Sequence, residues 1–144
     1  MTIAYDMLRD KINVESNTRF LIAVRDFVSR MIRASKIHRE DENKVILAVD
    51  EAVSNIIEHA YEFKEDGSIE IEVEANEKEF RVFIRDSGKS FDPDSLPDIN
   101  INENVKRGKK RGLGIFLMRK IMDEVRYNFR DSITNELLLV KYIK

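Results

Sequence analysis

The apolar residues change period once along the first 85 residues, and that change constrains the fold more than any other feature of the chain. Phe20, Leu21, Val24, Phe27, Val28, Met31 and Ile32 recur at three- and four-residue spacing, as do Val45, Ile46, Val49, Ala52, Val53, Ile56, Ile57 and Ala60. Beyond Glu65-Asp66-Gly67 the period becomes two: Ile69, Ile71 and Val73 alternate with Glu70, Glu72 and Glu74, then Phe80, Val82 and Ile84 with Arg81, Phe83 and Arg85.

The pattern predicts a short opening strand and an amphipathic helix that follows the capping oxygens of Ser16-Asn17-Thr18 and ends near Ser35. A second helix runs from about Asp41 to the turn before Gly67, and a hairpin follows through Asn76-Glu77-Lys78. Leu113, Ile115, Phe116, Leu117, Ile121 and Met122 mark a third helix, followed by strands around 125–130 and 137–143. The fold class is therefore α+β: an α/β sandwich whose mixed, mostly antiparallel sheet carries its helices on one face.

No repeat, low-complexity tract or linker divides the chain, so residues 1–144 are expected to form a single domain. With 42% hydrophobic residues it can build a core unaided, and the absence of cysteine excludes disulfides, thiolate zinc sites and a cysteine nucleophile. Lys+Arg (25) nearly balance Asp+Glu (27), which argues against direct nucleic-acid binding despite the basic run 106–111. Nothing approaches the roughly 20 apolar residues of a membrane span, so the expected location is cytoplasmic, with no membrane partner.

Three groups of residues can carry chemistry. Glu51, Asn55 and His59 are four apart, which on a regular helix turns each about 40° from the last and forms one slanted polar stripe. A carboxylate and an amide oxygen placed so suit a general base beside a hard cation such as Mg²⁺, although on spacing alone a solvated helix face is the commoner outcome. Asp86-Ser87-Gly88-Lys89-Ser90-Phe91-Asp92 closes a strand, where a fixed carboxylate can hydrogen-bond an adenine amino group and Gly88 can give the base room; an ordinary turn explains it equally well. Gly88-Lys89-Ser90 is not a phosphate-binding P-loop tail, because Phe83 stands where the first glycine belongs.

Arg111-Gly112-Leu113-Gly114 opens the third helix, where free amides and the positive helix end can receive a phosphate. Before it lies a polar, aperiodic segment that contains both prolines and is long enough to be a lid, about 92–111.

In order, Glu51-Ala52-Val53-Ser54-Asn55 with His59-Ala60-Tyr61, Asp86-x-Gly88-x-Ser90-Phe91-Asp92 and Gly112-Leu113-Gly114 resemble the N, G1 and G2 boxes of the ATPase family of gyrase, Hsp90, histidine kinases and MutL. Within it, Ser90 and the continuation Met122-Asp123-Glu124-Val125 resemble the anti-sigma-factor serine kinases of the RsbW type. The resemblance implies a Bergerat-type ATP-binding fold with ATP and Mg²⁺ as cofactors. It implies Glu51 as the catalytic base, Asn55 as the Mg²⁺ ligand and Asp86 as the reader of adenine. His59, Gly88 and Ser90 would complete the nucleotide site, with Arg111, Gly112, Leu113 and Gly114 closing over the phosphates.

The implied function is a serine-protein kinase acting as an anti-sigma factor, with an anti-sigma-factor antagonist and a sigma factor as partners and a homodimer as its assembly. The alternative is a non-catalytic, nucleotide-responsive switch that holds a regulator through its first helix. Two departures from the family pattern motivate that alternative. Arg111 replaces a glycine, and Thr134-Asn135-Glu136 replaces a Gly-x-Thr, which removes a hydroxyl from the adenine pocket.

Overall fold

A computed structural model describes residues 7–90, 113–130 and 133–144. The segment 92–111 expected as a lid and its basic run, with Arg111 and Gly112, lie outside the described residues.

Strand β1 (Leu8–Glu15) leads through a 3-10 turn (Thr18–Phe20) into helix α1 (Leu21–Ala34). Helix α2 (Glu42–Asn55) follows and continues as a single π-helical turn, Ile56–Ala60. Strands β2 (Ser68–Ala75) and β3 (Glu79–Asp86) form the expected hairpin; α3 (Leu113–Ile121), β4 (Glu124–Arg130) and β5 (Thr134–Tyr142) complete the order. The five strands lie as β1-β2-β3-β5-β4, and every pairing among them is antiparallel.

Alternation decides which side of the sheet each residue takes. Ile69, Ile71, Val73, Phe80, Val82, Ile84, Leu137 and Leu139 are buried and join the apolar stripes of α1 and α2 in one core. Val24, Phe27, Val28, Met31 and Ile32 of α1 all belong to that core. The stripe of the first helix is therefore covered within the fold, which removes it as the surface that would hold a regulator.

The capping oxygens divide their work. The Asn17 side chain accepts from the Arg19 N–H at 3.0 Å and starts the turn into α1. Ser16 faces the other way: its N–H donates to Gly67 O (2.9 Å), its Oγ donates to Lys64 O, and that Oγ accepts from the Gly67 N–H (3.0 Å). These bonds fasten the loop after the π turn to the end of β1.

On the opposite sheet face, register aligns charges across three strands, with Glu70 opposite Arg85 and Arg85 opposite Glu136. Arg85 donates to Glu136 Oε2 (2.7 Å), Glu70 Oε2 (2.6 Å) and Glu72 Oε1 (2.8 Å), while Arg9 donates to Glu72 Oε2 (2.8 Å). Burial works against the Arg85 charge, but its bonds to Glu136, Glu72 and Glu70 outweigh that and hold it more firmly protonated than usual.

Candidate functional site

The site is built where the end of the second helix meets the end of β3. The π turn widens the helix just after Asn55: the Tyr61 N–H donates to Ile56 O (3.0 Å), five residues back, and the Phe63 N–H reaches Ile57 O (2.9 Å). Glu62 and Phe63 then take left-handed backbone (φ 51° and 65°), a conformation that costs non-glycine residues roughly 1 kcal/mol each. The Ser16 bonds offset part of that cost. The result is a helix end whose last carbonyl, on Ala60, faces β3.

Three consecutive amides after Asp86 are held there. The Ser87 N–H donates to the Tyr61 hydroxyl (2.9 Å), which itself donates to Ser68 O (2.7 Å). The Gly88 N–H donates to Asp86 Oδ1 (2.9 Å), and the Lys89 N–H to Ala60 O (2.8 Å). A Cβ on Gly88 would lie 2.6 Å from Ala60 O and 2.8 Å from its carbonyl carbon. The glycine is thus required for packing against the helix end, a reason that the sequence reading did not give.

Asp86 is 4% exposed, on the helix-facing side of β3. Opposite it in register stands Asn135, 3% exposed. Asn135 Nδ2 donates to Asp86 Oδ1 (3.0 Å) and to Gly88 O (3.1 Å), and the Ser90 hydroxyl donates to Asn135 Oδ1 (2.7 Å). Burial raises the Asp86 carboxyl above its ordinary value, with the bonds from Asn135 and Gly88 opposing the rise. Both bonds fall on Oδ1, so among the described residues Oδ2 is the acceptor left for a ligand.

Asn135 was missed by sequence reasoning, which read the triplet Thr134-Asn135-Glu136 only as the loss of a hydroxyl and gave its middle residue no role. Its amide supplies a donor to Asp86. The available signal was the strand register, which needs β3 and β5, with α3 and β4 between them in sequence, to be aligned first. Glu136, which stands at the position of the lost hydroxyl, points to the other sheet face and pairs with Arg85, because neighbouring strand residues face opposite ways.

Of the expected residues, the structure brings Asp86, Gly88 and Ser90 together. Glu51 and Asn55 are half-buried on α2, and His59 is half-buried within the π turn, so the wider turn replaces regular spacing before the stripe reaches it. Leu113 and Gly114 begin α3, which packs against α2. Among the described residues no group of three His, Cys, Asp or Glu could hold a metal ion, and no helix is long and apolar enough to cross a membrane.

A family model of the histidine kinase-like ATPase domain matches residues 14–141, and the chain belongs to that family. Within it, the chain is similar to proteins named serine-protein kinase RsbW. It is 30% identical to one from Staphylococcus aureus over 139 residues, covering 93% of this chain and 86% of that protein. It is 31% identical to one from Listeria innocua over 101 residues, covering 67% of this chain and 63% of that protein. A crystal structure of RsbU and RsbW domains from Mycobacterium tuberculosis shares the fold, with a TM-score of 0.64 at 15% identity, over 93% of this chain and 32% of that one.

Proposed function

We propose that this chain is an ATP-dependent serine-protein kinase that phosphorylates an anti-sigma-factor antagonist and sequesters a sigma factor. The observation that carries the nucleotide reading is the buried Asp86 carboxyl, fastened through Oδ1 by Gly88 and Asn135, with Oδ2 left as an acceptor among the described residues. An adenine amino group is the complementary donor, and a carboxylate enclosed in this way favours it over a keto oxygen. Gly88 closes the loop on the helix end and keeps that acceptor in place.

The residues also fit a magnesium nucleotide. Asn55, half-buried on α2, offers an amide oxygen, a hard ligand for an ion whose remaining shell is phosphate oxygens and waters. Bound ATP would supply the transferable phosphoryl group. Glu51, one turn before Asn55, would accept the proton of the partner's serine hydroxyl, and the amides at the start of α3 would receive phosphate oxygens. Catalysis then rests on positioning and charge stabilisation.

The name of the relatives, serine-protein kinase, supports the kinase reading, and the antagonist as partner class rests on the resemblance of the motifs. A cytoplasmic homodimer is part of the same reading. The test is phosphorylation of an antagonist-type domain with Mg-ATP. Glu51→Gln should lower turnover about 10²- to 10⁴-fold while ATP affinity is retained, the range for loss of a general base. No phosphorylation by a wild type that still binds the antagonist-type domain would remove the kinase assignment and leave a protein-binding switch, whereas equal turnover in wild type and Glu51→Gln would remove Glu51 as the base.

A further inference from the structure

We propose that Asn135 is a specificity-determining positioning residue. Together with Ser90 it holds Asp86 as an ionised acceptor and so makes the site select a base carrying an exocyclic amino group over one carrying a keto oxygen. The inference rests on the nucleotide reading above and goes beyond it, because it assigns base selection to a residue pair on β5 and the loop after β3.

The amide orientation is set by its neighbours. Gly88 O can only accept, so the atom 3.1 Å from it must be the amide nitrogen, and the carbonyl oxygen must be the one facing Ser90. The same nitrogen then presents a proton to Asp86 Oδ1 at 3.0 Å. Asp86 Oδ1 therefore receives two donors, from Gly88 and Asn135, and both favour the charged carboxylate. Ser90 lends its proton to the far end of the amide, completing a chain from an exposed hydroxyl to a buried carboxyl.

Burial opposes this arrangement by pushing the Asp86 carboxyl upward. With the Asn135 donor removed, one backbone N–H remains against the same desolvation, and the carboxyl takes up a proton more readily. A protonated carboxyl can donate to a keto oxygen and no longer offers a purely accepting face to an amino group. Loss of Asn135 should therefore weaken the amino base and strengthen the keto base together. A purely structural role would weaken both.

The experiment is calorimetric titration of Mg-ATP and Mg-ITP, which differ in the 6-substituent of the base and the N1 proton that accompanies the keto form, into wild type, Asn135→Leu and Ser90→Ala, with thermal melting as the folding control. Wild type should prefer ATP by about 30-fold or more, since facing a carboxylate with an unpaired keto oxygen costs roughly 2 kcal/mol. Asn135→Leu should reduce that preference by about tenfold, with ITP affinity rising, and Ser90→Ala should reduce it by roughly threefold, for loss of one and of part of one charge-assisted bond. An unchanged ATP-to-ITP ratio in a folded Asn135→Leu protein overturns the proposal while leaving the nucleotide site intact. If Asn135→Leu does not fold, an unchanged ratio in Ser90→Ala overturns it. Failure of wild type to bind either nucleotide overturns both this inference and the reading on which it rests.

Discussion

Replacing Gly88 with alanine tests whether the loop after β3 is built against the helix end. The added Cβ would stand 2.6, 2.8 and 2.9 Å from the carbonyl oxygen, carbonyl carbon and Cβ of Ala60. All three belong to the backbone or to its first side-chain carbon, so no flexible tip can move aside. The glycine does not sit in the left-handed region, so the cost is steric. Overpacking of this kind costs about 1–3 kcal/mol. The shift that relieves it also stretches the 2.8 Å bond from the Lys89 N–H to Ala60 O, a net loss of about 1 kcal/mol. A total of about 2–4 kcal/mol corresponds to a melting temperature lower by roughly 6–12 °C for a domain of this size. Because the Gly88 N–H also holds Asp86, ATP affinity should fall at least about tenfold. A Gly88→Ala protein that melts within a degree of wild type would refute the packing argument.

Tyr61→Phe should keep the ring against Gly67 while removing the hydroxyl that bridges Ser87 N and Ser68 O, and chemical denaturation should report a loss of about 1–2 kcal/mol. Arg85→Leu should lose about 2–3 kcal/mol at neutral pH, less than a fully buried pair because the Arg85 side chain is 17% exposed. Burial pushes the Glu72 carboxyl up, but bonds from Arg85 and Arg9 hold it below its ordinary value. Its contribution is therefore complete above about pH 4.3 and disappears as the pH falls through the lower folded value. The gap between wild type and Arg85→Leu should accordingly close on acidification; a gap that widens in acid would contradict the network.

Periodicity made the scaffold legible because each of its decisions is local. Helix α1 follows from apolar residues at three- and four-residue spacing, and β2 and β3 from strict alternation. The candidate site was legible where its residues are close in sequence, as from Asp86 to Ser90. What stayed hidden depends on partners far along the chain. Asn135 meets Asp86 only after β5 pairs with β3, and Arg85 gathers Glu70, Glu72 and Glu136 only across three aligned strands. In sequence those charges are simply the polar half of an alternation. The π turn was hidden for another reason: Ile56, Ile57 and Ala60 keep an acceptable helical apolar pattern, so nothing local marks the extra residue in the turn that brings Ala60 O to Lys89.

The central claim is that Asp86 reads an amino-bearing base, and calorimetric titration of Mg-ATP into wild type and Asp86→Asn tests it most directly. The amide can keep the bonds from Gly88 and Asn135 through its oxygen, and it removes a buried charge, so the variant should melt at or above the wild-type temperature at neutral pH. Its nitrogen would then confront the adenine amino group, donor against donor. The account predicts micromolar binding to wild type and at least about tenfold weaker binding to the folded variant. Equal binding to both proteins, or none to wild type, would contradict it.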